Sequence, residues 1–397
     1  MAVNSKEETQ DSLPPRLKVI TTGIIIAKAL ANAVYALLKL LPVQNKVVFI
    51  TWNSNDVTPD FQTLIAQLTI LKRPPKVVAL CRELGSGIGA YLLYGFHMLV
   101  QMYAMATAKV VVLDAYCVTA SILNHRRDLR LVQIWHALGA FKKFGWSVVD
   151  KSEGWAAQSR IPPRTLSHLL RMHHGYTAAA VSYSGAIPFY AEAFNADPSI
   201  FHVAWLPRVE QLRDKERMAA LRTAILRAHP QLAGGNVVLY APTIRLVDAD
   251  DSRVVSLVDA IGASGWKLVA KIHPVRGQES VPIFPDQCVQ VDDFSAIQML
   301  AIADAVITDY SAIAYEAYIC GLPVYFYAHD MDAYEEARGF YTAPVRFPST
   351  FYESPQDLVS DMTARSFDPS AIADFVEIFL EDSDNREDIL ALITPGS

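Results

Sequence analysis

Short uninterrupted apolar runs recur along this chain, separated by longer stretches in which apolar positions return every three or four residues. In the first half the runs are KVVFITW (46–52), PKVVALCRE (75–83), AKVVVLDAY (108–116) and LRLVQIWH (129–136). In the second half they are NVVLYAPT (236–243), WKLVAKIHP (266–274), CVQVDDF (288–294), ADAVITDY (303–310) and LPVYFYAHD (322–330). Runs of this kind suit strands covered on both faces, as in parallel sheets. Helix-compatible stretches at 91–107, 254–264 and 313–320 lie between them. The alternation predicts two α/β sheets, with the boundary near 206–213. SRIPPRTLSHLLRMHHGYT (159–177) carries prolines and basic residues and reads as a mobile loop. Its Arg160, Arg164, Arg171, His173 and His174 either contact phosphate-bearing groups or are simply solvated.

The N-terminus has a different pattern. Residues 1–12 are polar, and no acidic residue occurs from Ser12 to Asn55. Within that region VITTGIIIAKALANAVYALLKLL (19–41) places Thr21, Lys28, Asn32, Tyr35 and Lys39 on one stripe at 100° per residue. It reads as an amphipathic helix lying in the cytoplasmic leaflet, its lysines near anionic headgroups. A spanning helix and a core helix are the alternatives.

Composition narrows the class. With 397 residues, 52% hydrophobic and 19% charged, the chain is globular and long enough for two domains. A net charge of −6 argues against general nucleic-acid binding. Cys81, Cys117, Cys288 and Cys320 show no metal spacing and read as reduced thiols.

Candidate chemistry sits directly after the apolar runs, and open α/β sheets gather ligands beyond the carboxyl ends of their strands. The candidates there are His136; Thr243 and Arg245; Lys271, His273 and Pro274; and Asp309, Tyr310 and Ser311. Arg245 offers forked donors to phosphate oxygens. His273, fixed by Pro274, offers an imidazole N–H to a diphosphate. Asp309 and Ser311 stand at a strand-to-helix turn, where backbone N–H groups bind anions, or where the two residues simply cap the helix. His136 belongs to the first unit, and a neutral imidazole there can take a proton from an alcohol. Lys142 and Lys143 are acceptor-side candidates for balancing phosphate charge, with solvation as the alternative. Asp292 and Asp293 are adjacent and point to opposite sides of a strand, so no metal site is demanded. The expectation is a reaction without a required cofactor, Mg2+ being an activator at most.

The stretches QIWHALGAFKKFG (133–145), YAPTIR (240–245), KIHP (271–274), ITDYSAIAYEAYICGLPVYFY (307–327) and EARGFY (336–341) jointly resemble the CDP-glycerol glycerophosphotransferase family. These are the teichoic-acid primases and polymerases of bacterial cell walls. The resemblance implies a GT-B-like fold, two Rossmann-like domains facing a cleft. Residues 1–42 would be a tail and membrane helix, 43–206 the acceptor-side domain, and 207–397 the domain binding the CDP-polyol. It assigns His136 as base and His273 to the diphosphate. It also assigns Asp309, Ser311 and Arg245 to nucleotide and phosphates, Glu316 to the ribose, and Arg338 to phosphate or polyol. The chain keeps only Pro207–Arg208 of a common Pro-Arg-Asn-Asp motif and reads His136–Ala137 where many members read His-Gly. The implied reaction moves glycerol phosphate or ribitol phosphate from a CDP-polyol to a lipid-linked acceptor, releasing CMP. It would occur at the cytoplasmic face of the membrane, with the protein peripheral and homo-oligomers possible. A GT-B sugar-nucleotide glycosyltransferase and a non-catalytic membrane scaffold are the competing readings.

Overall fold

The computed structural model describes residues 14–85, 87–154, 156–243, 251–271, 288–380 and 387–395. The first lobe is a parallel six-stranded sheet of order β2-β1-β3-β4-β5-β6. Its strands are β1 (Lys46–Thr51), β2 (Lys76–Cys81), β3 (Val110–Leu113), β4 (Arg130–Gln133), β5 (Ala178–Val181) and β6 (Phe201–Val203). The second lobe is a parallel five-stranded sheet of order β11-β10-β9-β7-β8. It comprises β7 (Val237–Tyr240), β8 (Lys267–Ala270), β9 (Ala305–Thr308), β10 (Val324–Tyr327) and β11 (Phe351–Tyr352). Helices α1 (Pro15–Leu38), α2 (Pro59–Thr69), α3 (Ile88–Ala106), α4 (Val118–Ile122), α5 (Pro163–Leu169) and α6 (Ile187–Phe194) clothe the first sheet. Next come α7 (Pro207–Arg213), α8 (Lys215–Ala228), α9 (Asp251–Ser264), α10 (Ala296–Met299) and α11 (Ile313–Ile319). The last four are α12 (Met331–Ala337), α13 (Pro355–Thr363), α14 (Pro369–Phe379) and α15 (Ile389–Ile393).

Most apolar runs became strands because parallel pairing needs cover on both faces, and β1, β3, β7, β9 and β10 are buried at every position. Three expectations change. β2 is an edge strand with exposed positions, so its apolar run is not covered on both faces. CVQVDDF forms no strand among the described residues, where Cys288 makes a single bridge to Leu268. The 159–177 stretch is not a loop throughout. Pro162–Pro163 opens α5, and His173 further on is buried.

α1 reverses its expected orientation. Its polar stripe faces the protein: Lys28 Nζ donates to the Leu169 carbonyl at 3.1 Å and Asn32 Nδ2 to that of Ile122 at 3.0 Å. Tyr35 meets His125 at 2.9 Å, and Lys39 Nζ donates to the Asn124 carbonyl at 2.7 Å. Lys28 and Lys39 therefore dock the helix on the lobe instead of facing outward. The apolar face looks outward, with Val19, Ile20, Ile26, Leu30 and Leu37 exposed. α3 packs on α1 and exposes Tyr91, Leu92, Leu93, Phe96 and Leu99. α1 is long and apolar enough to cross a membrane.

The lobes share one continuous hydrophobic core. The segment after His136 leaves the first lobe and adds to the second. Lys142 forms an antiparallel bridge with Phe340, Tyr341 N donates to the Phe141 carbonyl at 2.8 Å, and Lys143 N donates to that of Gly339 at 2.9 Å. Phe141 sits in the second lobe's aromatic cluster, 4.3 Å from Phe347 and 5.4 Å from Phe340 between ring centroids. Residues 387–395, grouped by sequence with the second lobe, return to the first: α15 packs on β3, β4 and α2, and Arg130 donates to the Thr394 carbonyl at 3.2 Å.

Gly139 makes the seam possible. A Cβ there would lie 2.3 Å from the buried Tyr315 ring, which is itself wedged against Phe379 at 4.6 Å. Gly139→Ala should destabilise the chain by about 1–3 kcal/mol through overpacking. Urea unfolding reads this directly, and an unshifted midpoint would show that the seam carries no stability.

Candidate active site

The site is assembled from strand ends. β4 ends at Gln133, whose Oε1 accepts the Trp135 N–H at 2.9 Å. Trp135 then adopts a left-handed φ of 49°, a conformation costly for a residue with a Cβ and typical of functional turns. Its ring stacks on Phe144 at 5.0 Å and meets Phe194 at 5.3 Å, and this packing holds the turn. The turn delivers His136 to the space between the lobes, where it is exposed.

His136 Nδ1 donates to the Asp114 carbonyl at 3.2 Å, leaving Nε2 as the acceptor. The protein packed around the ring withdraws part of its solvation, and this desolvation, followed by the charges of Arg208 and Lys142, pulls its pKa down to about 4, against the opposing pull of the Asp114 carbonyl. The imidazole is neutral at physiological pH.

Opposite it lies the switch point of the second sheet, between β7 and β9. Asp309 Oδ1 accepts from the backbone N–H groups of Thr243 and Tyr310, both at 2.6 Å. Asp309 thus ties the two strand ends together and shapes the loop after β7. Lys142 Nζ crosses from the first lobe to the Thr243 hydroxyl of the second at 3.3 Å. Lys143 lies over the Tyr341 ring, 5.8 Å from its centroid. Ser311 Oγ accepts from Ile313 N at 3.5 Å, a helix-opening contact. Lys271 Nζ donates to the Val291 carbonyl, and burial lowers its pKa.

Three candidates have other duties. Tyr310 is fully buried, stacked on Tyr334 at 4.2 Å, and its hydroxyl donates to Asp330 at 2.9 Å, so it is a core residue. Arg338 donates to the carbonyls of Lys143 at 2.8 Å and Glu153 at 3.2 Å, stitching the lobes. Glu316 is buried and accepts from Arg208 Nη1 at 3.3 Å, which places it in an ionic cluster. Arg245, His273 and Pro274 lie outside the described residues.

That ionic cluster is what sequence reading missed. Arg208, at the start of α7, binds the carboxylate of Asp60 through Nε at 2.7 Å and through Nη2, and donates to the His136 carbonyl at 2.9 Å. Asp60 and Glu316 are each less than a tenth exposed. Asp114, also buried, leaves Oδ1 without a hydrogen-bond partner, and burial pushes its pKa up to about 6. Asp114 follows the VVVL strand directly, so the strand-end rule that selected His136 selects it too. Asp60 carries no such signal.

His173 supports the turn from below, its ring 5.6 Å from Trp135 and stacked on Phe194 at 4.4 Å. The Tyr176 hydroxyl contacts its Nδ1 at 3.0 Å. Burial drives the His173 pKa down to about 3, whereas an unfolded histidine titrates near 6.5. Between those values the unfolded chain binds the proton and the native chain does not. Stability is therefore complete above about pH 6.5 and declines as pH falls toward 3. The urea midpoint should drop between pH 7 and pH 4, and less so in His173→Phe. Equal slopes in both would remove His173 as the cause.

The chain is similar to several known proteins. The teichoic acid ribitol-phosphate primase of Bacillus spizizenii is 28% identical over 383 residues, covering 93% of this chain and 95% of that protein. The ribitol-phosphate polymerase TarL of Staphylococcus aureus is 27% identical over 298 residues, and the match spans 72% of this chain but 50% of TarL. The solved structure of the wall teichoic acid polymerase TagF superposes with a TM-score of 0.65 over 93% of this chain and 95% of that one, at 17% identity, and so shares its fold. Residues 33–394 match the sequence model of the CDP-glycerol:poly(glycerophosphate) glycerophosphotransferase family, and the chain belongs to that family.

Proposed function

We infer that the chain transfers a polyol phosphate from a CDP-polyol to a hydroxyl of a lipid-linked acceptor. The observation that carries this reading is the placement of His136, with Nδ1 engaged by the Asp114 carbonyl and the ring exposed between the lobes. Nε2 takes the acceptor proton as its oxygen bonds to the β-phosphorus. The bond from that phosphorus to the bridging oxygen breaks, and its electron pair leaves with CMP. Positive charge from Lys142, beside Thr243, offsets the charge on the diphosphate, the dominant task in phosphoryl transfer. Ribitol phosphate is the favoured unit and priming the favoured role, because the relative matched over nearly its whole length is a ribitol-phosphate primase.

Peripheral attachment at the cytoplasmic face fits α1 best. A helix pinned to the lobe by Lys28, Asn32, Tyr35 and Lys39 presents its apolar face sideways to a leaflet, together with that of α3.

The deciding experiment incubates the full chain and a lipid-linked acceptor with CDP-ribitol, CDP-glycerol or UDP-sugars. CMP release with phosphodiester formation is the expected result. UDP release with a glycosidic product would replace this reading by a glycosyltransferase, and nucleotide binding without turnover would leave a scaffold.

A further inference from the structure

Behind the aromatic layer that carries His136, the first lobe holds a cavity of about 450 Å³, within the size range of small-ligand sites. Arg171, His168 and His174 line it together with Trp146, Tyr176 and Asn195. Left-handed backbone gathers here: Arg171 (φ 50°), His173 (φ 57°) and Asn195 (φ 48°) are all lining residues. Such conformations cost about 1–3 kcal/mol each and persist where the surroundings impose them. The surroundings do so. The carbonyls of Leu169, Leu170 and Met172 accept from Lys28 Nζ, the Tyr116 hydroxyl and Trp146 Nε1 at 3.1, 3.0 and 3.0 Å.

Charge at this cavity is unbalanced. Arg171 donates to the neutral Asn124 side chain at 2.9 Å. Lys28 and His174 lie close enough that Arg171 depresses the pKa of each, in addition to burial. The carboxylate lining the cavity, Asp197, is exposed, and its Oδ1 accepts from Ser199 N at 2.8 Å. A phosphate-bearing ligand answers the Arg171 charge, which no carboxylate meets in the described contacts, and a guanidinium suits it through two parallel hydrogen bonds. Lys28 places the cluster where α1 meets the lobe, next to the outward apolar face and hence at headgroup depth if that face lies in a leaflet. On the other side the cavity wall reaches the catalytic turn, since His173 touches Trp135 and Trp135 touches His136 at 4.5 Å.

We propose that this cavity receives the phosphate-bearing head of the lipid-linked acceptor, with Arg171 as its principal partner and His174 beside it. The assignment rests on the acceptor being lipid-linked, as inferred above. It anchors the acceptor's lipid end at the membrane side of the same lobe that carries the base.

The test uses the full chain, wild type and Arg171→Gln, in two arms. In flotation with phosphatidylcholine vesicles containing a polyprenyl diphosphate, the variant should lose about tenfold in binding. With phosphatidylglycerol in its place the two proteins should bind alike. In turnover, KM for the lipid acceptor should rise about tenfold, with kcat and KM for the CDP-polyol unchanged. Equal loss on both vesicles would make this a general headgroup site and overturn the acceptor assignment, and no loss on either would overturn the site itself. If wild type releases no CMP, the transferase reading fails while the vesicle arm still decides the cavity. His174→Gln, expected to lose less, carries the test should Arg171→Gln not fold.

Discussion

His136→Ala is expected to lower kcat by about two to four orders of magnitude, the range typical of a lost general base, while CDP-polyol binding survives. The separation follows from where the residue stands. The His136 side chain makes its described hydrogen bond to the Asp114 carbonyl, whereas the strand ends tied by Asp309 lie on the opposite lobe. Removing the imidazole therefore removes the proton acceptor and leaves the donor-side loops in place. The same geometry sets the pH behaviour. A base whose pKa is about 4 in the free protein is lost only as pH falls through that value. His136 should thus impose no acid limb on kcat/KM between pH 5 and pH 8. Bound diphosphate adds negative charge nearby and raises the pKa in the complex, which strengthens the base when it is needed. Calorimetric titration of CDP-ribitol into the variant, alongside its turnover, checks both halves. Wild-type turnover with intact binding would end the assignment of His136 as base.

Arg208→Ala should destabilise the chain by about 3–5 kcal/mol, the usual consequence of removing one partner from a buried ion pair. Two carboxylates depend on this one guanidinium. Asp60 belongs to α2 of the first lobe and Glu316 to α11 of the second, and Arg208 binds both while holding the His136 carbonyl. Glu316 is already strained electrostatically: burial lifts its pKa to about 6 even with Arg208 beside it, and its Oε2 has no hydrogen-bond partner. Without Arg208 both carboxylates must protonate or draw in water. Arg208→Lys should recover only part of the loss, since an ammonium cannot reproduce the fork that reaches Asp60, Glu316 and a carbonyl together. In a double-mutant cycle, Glu316→Gln should cost less in the Arg208→Ala background than in wild type. Urea unfolding measures each of these, and a loss below about 1 kcal/mol for Arg208→Ala would show that the cluster is no better than a surface pair.

The sequence disclosed the strand ends far better than the partners of the residues on them. KVVFIT, VVVL, VVLY, AVIT and VYFY declared themselves because a strand buried on both faces must be apolar at every position. β5 reads AAAV and escaped notice, since alanine is a poor strand former and only the neighbours on either side made it one. Helical periodicity grouped Thr21, Lys28, Asn32, Tyr35 and Lys39 correctly on one stripe of α1. It could not tell that the stripe faces the lobe, because what a face meets depends on residues about 90 or more positions away. At the site the same division holds. Local context put His136, Thr243 and Asp309 at strand ends. It gave no sign of the partners the fold provides for Tyr310 in the core, Glu316 in an ion cluster and Arg338 at the seam.

Local order along the chain thus determined two parallel α/β sheets and the loops where chemistry gathers, because backbone pairing and burial write themselves into neighbouring residues. Tertiary structure alone decided which charges meet. The Asp60–Arg208–Glu316 cluster, the crossing of Lys142 to Thr243 and the cationic cavity at Arg171 each join side chains remote in sequence. Coulomb attraction and desolvation act through distance in space, and no spacing along the chain encodes that distance.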